Sequence, residues 1–82
     1  MTRSAKRLAA ARNNPKQVRP EDLDAILTEH GFTSEQSGTS HKVYRHSGLQ
    51  VSVPQRTPHL LPVYVKKALK IIDELGLAEE DE

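Results

Sequence analysis

One stretch of this chain sets a group able to move a proton among groups able to attract an anion: GTSHKVYRH, residues 38–46. Gly38 permits close backbone approach, Ser40 carries a hydroxyl, His41 an imidazole, and Lys42 and Arg45 are cations. An imidazole with its ordinary pKa of about 6.5 exchanges a proton near neutral pH, so this pattern suits general acid–base chemistry beside a bound anion. The competing reading makes His41 a surface residue on an ordinary strand. The other three histidines have structural explanations. His30 falls in the last turn of a helix, where an imidazolium complements the dipole; His46 ends a strand beside a turn; His59 lies in a Pro-flanked loop. The four are too widely spaced for a zinc motif, so no metal is expected. Phosphate-loop, dinucleotide and nucleophile-elbow fingerprints are absent, and no cofactor is expected.

The elements that must position His41 are readable from Pro, Gly and hydrophobic spacing. Pro20 begins a helix whose dipole Glu21 and Asp22 complement, and Gly31 stops it. Leu23, Ile26, Leu27 and His30 fall on one stripe of that helix. Short strands are predicted over residues 32–36, 41–46 and 49–53, with Ser47-Gly48 turning the last two into a hairpin. Pro62 starts a second helix and Gly76 caps it; Val65, Ala68, Leu69, Ile72 and Leu75 form its apolar side, and Lys66, Lys67 and Lys70 the opposite, basic side. The order α-β-β-β-α predicts an α+β domain: one three-stranded antiparallel sheet with two helices on one face. Alternation leaves the direction of His41 open. If Val43 faces the helices, His41 points inward; if Tyr44 does, His41 and Arg45 are exposed.

At 82 residues and a net charge of +1, the chain makes one small domain able to carry a single site. Its charges are in blocks. Residues 1–19 and 36–72 contain Lys and Arg but no acid, while carboxylates collect at 21–35 and 73–82. Such basic segments present a positive surface to a polyanion or simply form a solvated face. Residues 1–14 read as a flexible basic arm, 15–76 as the folded domain and 77–82 as an acidic tail. No apolar run is long enough for a membrane span, no signal-peptide core is present, and the chain has no cysteine. A cytoplasmic protein is the expectation.

The segments NPKQVRPEDLDAILTEHGF, GTSHKVYRH, VSVP and PVYVKKALKIIDELG resemble the HicA (YcfA-like) family of toxins, mRNA-cleaving ribonucleases of toxin-antitoxin pairs. The resemblance covers about residues 14–76. It implies a double-stranded-RNA-binding-domain-like fold, a catalytic histidine at His41, RNA as substrate and a HicB-like antitoxin as partner. The family's commoner Gly-Ser-His is here Gly38-Thr39-Ser40-His41, one residue longer. On this reading the protein is a metal-independent endoribonuclease, with His41 as base toward the RNA 2′-hydroxyl and Ser40 orienting the backbone. Lys42 or Arg45 would face the scissile phosphate, and Lys66, Lys67 and Lys70 would bind RNA phosphates. Two other readings use the same residues: a non-catalytic RNA-binding module that recognises A-form shape, and a purely protein-binding subunit.

Overall fold

In the computed structural model, which describes residues 3–37 and 40–76, seven elements follow one another. They are helix α1 (Arg3–Asn13), a 3-10 turn (Pro15–Gln17), α2 (Pro20–Glu29), β1 (Thr33–Ser37), β2 (His41–His46), β3 (Leu49–Pro54) and α3 (Pro62–Glu74). The three strands form one antiparallel sheet in the order β1-β2-β3, followed by a helix, which is the predicted α-β-β-β-α, α+β arrangement. None of the helices is long and apolar enough to cross a membrane, among the described residues. The acidic tail expected over residues 77–82 and the first two residues of the expected arm lie outside the described residues.

Local chemistry accounts for the element ends. Pro20 and Pro62 each occupy the first turn of a helix, where a missing N–H leaves no intrahelical bond unmade. At the start of α2 the Asp22 carboxylate accepts the Arg19 backbone N–H at 3.2 Å. Where α2 ends, the His30 backbone N–H and its ring Nδ1–H both donate to the Ile26 carbonyl, the latter at 2.7 Å, and Gly31 turns the chain at φ +92°. A Cβ at Gly31 would come within 3.1 Å of the His46 ring, a tight contact that adds to the preference for glycine set by the positive φ. Ser47 and Gly48 both have positive φ, 52° and 82°, matching the two-residue turn that suits twisted strands.

One face of the sheet is covered. Tyr44 is 1 % exposed and pairs with Val51 across β2 and β3; with Val53 it packs against Leu23, Ile26 and Leu27 of α2 and Val65, Ala68, Leu69 and Ile72 of α3 in a single core. That settles the direction left open by alternation: Tyr44 faces the helices, and His41, Val43 and Arg45 lie on the other face.

The expectation of a flexible arm over residues 1–14 does not describe residues 3–13. Those residues form α1, and Leu8 and Ala11, one turn apart, are buried in the common core. Arg7 pairs with Glu29 of α2 at 2.6 Å, and Arg12 with Asp73 of α3. A short Ala-rich helix is marginal alone, but this one has a two-residue apolar stripe and a surface to receive it. Burying Leu8 contributes about 1.5–3 kcal/mol, more than either exposed ion pair.

Candidate functional site

His41 is the first residue of β2, held between strands on both sides: Ser37 is its register partner in β1 and Pro54 its partner in β3. Its position is fixed by backbone bonds. The Gln55 N–H donates to the Ser40 carbonyl at 2.6 Å, and the Gln36 side-chain amide donates to the His41 carbonyl at 3.2 Å. The side chain is exposed on the face away from the core. Ser40 is exposed too, and it is its carbonyl that ties the start of β2 to the chain leaving β3. Gly38, expected to make room for an anion, lies outside the described residues, as does Thr39.

A cleft of about 520 Å³ opens beside His41, along the outer edge of β3. One wall is strand, with Gln50, Ser52 and Pro54; the other is the flank of α3, with Tyr64, Lys67, Lys70 and Ile71. Glu74 also lines it, ten residues and roughly 15 Å along the helix from Tyr64. Lys67 and Lys70 are both exposed, and no carboxylate among the described residues pairs with either. The cleft therefore joins an exposed imidazole, two ammonium groups and a partly buried aromatic ring, with the Glu74 carboxylate at its far end.

The remaining predicted cations go elsewhere. Lys66 is one residue, about 100° of helix, from Lys67 and lines a different groove with Arg12, Pro15 and Asp73; Lys70 borders both. Lys42 alternates onto the core side of β2, where its ammonium donates to Asp24 at 2.9 Å and lies 5.9 Å from the Tyr44 ring centre. Asp24 also accepts the Tyr44 hydroxyl at 2.9 Å. Burial disfavours ionisation of Asp24, yet the hydrogen bonds from Lys42 and Tyr44 and the lysine charge outweigh it, holding its pKa below the ordinary carboxylate range. Tyr44 is shifted the other way: burial, and then the hydrogen bond to the Asp24 carboxylate and its charge, push the phenol well above its usual value. This is a structural knot tying β2 to α2. Arg45 shares the face of His41 but stands four residues along the strand, about 13 Å away. It donates to Glu35 at 2.6 Å and to Gln50 at 3.2 Å.

Of the predicted cations, then, Lys67 and Lys70 meet His41 in one cleft; Lys42, Arg45 and Lys66 do not. The sequence reading does not mark the other polar residues of the cleft, Tyr64, Ser52, Gln50 and Glu74. Tyr64 had a usable signal, since it precedes Lys67 by three residues and so shares its side of the helix. The β3 residues had one in their alternation with Val51 and Val53. His46, by contrast, packs its ring against Phe32 with centroids 5.1 Å apart, and its Nδ1 lies 2.8 Å from the Ser47 hydroxyl. No family model matches the chain, and no curated protein or solved structure does.

Proposed function

We propose that the protein is an endoribonuclease that cleaves mRNA without a metal, with His41 as the acid–base residue, acting as the toxin of a toxin-antitoxin pair. The observation that carries this reading is the joining of His41 with Lys67 and Lys70 in one open cleft. RNA brings its own nucleophile, so the protein needs a proton acceptor and fixed positive charge. His41 takes the proton from the 2′-hydroxyl; the 2′-oxygen bonds to phosphorus while the bond from phosphorus to the 5′-oxygen breaks. The proton then returns to the leaving 5′-oxygen from the imidazolium or from water. Lys67 and Lys70 hold the phosphate chain, contributing affinity with little choice of sequence. Lys42 is committed to Asp24 and Arg45 to Glu35, so neither is assigned to the phosphate.

The resemblance to HicA toxins supports the toxin role and a HicB-like antitoxin as partner. An exposed cationic cleft suits an acidic partner that covers it. The test is incubation of purified protein with mRNA in the presence of a chelator, followed by analysis of the product ends. Fragments ending in 2′,3′-cyclic phosphate are expected. Intact RNA, bound with a steep salt dependence, would instead identify a non-catalytic RNA-binding module. In cells, growth arrest on expression should be relieved by the product of a neighbouring antitoxin gene.

A further inference from the structure

The chain has three Phe and Tyr rings and no tryptophan, and two of these rings are used up by the fold. Phe32 is 4 % exposed and meets the His46 ring at an interplanar angle of 53°; Tyr44 is 1 % exposed with its hydroxyl bonded to Asp24. Tyr64 differs in each respect. It is only partly buried, it lines the His41 cleft, and no hydrogen bond among the described residues engages its hydroxyl. It stands in the first turn of α3, where its backbone N–H bonds to the Leu61 carbonyl at 3.1 Å, and its side chain packs against the core while lining the cleft. A ring held in this way on a helix loses little freedom when something flat is laid on it.

Its neighbours define what that would be. Lys67 is one turn on, and Lys70 the turn after, so two ammonium groups follow the ring along the same cleft. An aromatic face followed by cations matches a nucleic-acid strand that offers a base face and a phosphate chain together. Bases inside a duplex are stacked on one another and have no face to offer, whereas an unpaired base does. We infer that Tyr64 is a stacking platform for an unpaired base, and that the RNA taken by the His41 cleft is therefore single-stranded. Tyr64 is a positioning residue: it sets where the strand lies, and the chemistry stays with His41.

This inference rests on the proposed reading of the cleft as an RNA site, and the test separates the two. An oligoadenylate with every 2′-hydroxyl methylated has no nucleophile, so it can be bound by the unaltered protein without being cut. Its affinity is compared with that of a strand of the same length lacking bases and with the same oligoadenylate annealed to an oligouridylate methylated in the same way. Ring-proton shifts of Tyr64 are followed by NMR. The expected result is an upfield shift of the Tyr64 ring protons with the single strand, and binding about 5- to 100-fold weaker for the base-free strand and the duplex. Tyr64→Phe should retain the preference for bases, and Tyr64→Leu, which keeps the apolar packing, should lose it. Equal binding of all three strands, or unmoved Tyr64 resonances, would overturn the platform while leaving the cleft an RNA site. No binding of any strand at low salt would overturn both.

Discussion

His41 and Tyr44 stand on opposite faces of the same strand, and the difference decides what each can do. Tyr44, the core residue, carries Lys42 to the helix side with it, and both are engaged by Asp24. Removing one hydroxyl tests that knot: Tyr44→Phe should lower stability by about 1 to 2 kcal/mol, read from urea unfolding, and leave RNA cleavage at its original rate. The same contacts predict an acid sensitivity. The folded pKa of Asp24 is depressed, so its contribution to stability is fully present above the unfolded carboxylate value, about 3.9, and is lost as pH falls through the lower folded value. Unfolding midpoints measured from neutral pH downward should therefore drop below about pH 4, and less steeply in Asp24→Asn. That His41 opens a strand was legible from the sequence, but its direction was not, because Val43 and Tyr44 are both plausible core residues. The Lys42–Asp24 pair was equally hidden: it spans 18 residues, and nothing local to either marks the other.

Among the elements, α3 carries most of the functional argument. One side supplies Val65, Ala68, Leu69 and Ile72 to the core, and the rest is divided between two grooves. The sequence separated core from basic face correctly, because that needs only helical spacing. It could not divide the lysines further, since which flank meets β3 and which meets α1 is set by packing. That division predicts different behaviour for neighbouring lysines. Lys67→Ala should reduce the dependence of log affinity on log salt by about 0.7 for single-stranded RNA, and Lys66→Ala should change it much less. Equal effects would mean that the strand runs across both grooves. The strands and the hairpin were legible for a different reason: Ser47-Gly48, Gly31 and the helix-starting prolines act through backbone constraints that do not depend on distant residues.

For the molecule as a whole, small size makes every buried side chain count. Residues 3–13 looked like an arm because their composition is basic and Ala-rich, and a helix of that length owes its stability to what it packs against. With Leu8 and Ala11 in the core and Arg7 and Arg12 paired to α2 and α3, α1 is part of the domain that holds the cleft. Leu8→Ala should cost about 2–5 kcal/mol, measurable as a lowered denaturant midpoint, where a detached arm would show no change. The cleft beside His41 and the groove that Arg12 lines are neighbouring sectors of α3 that share Lys70.

The central claim is that His41 moves the proton, and it is tested most directly by comparing RNA cleavage by the unaltered protein and by His41→Ala, both saturated with the same RNA. His41 is exposed, so the substitution should leave fold and RNA affinity essentially unchanged. The expected outcome is a cleavage rate reduced by about 100-fold or more, as removal of a general base requires. Equal rates for the two proteins at equal occupancy would contradict the account.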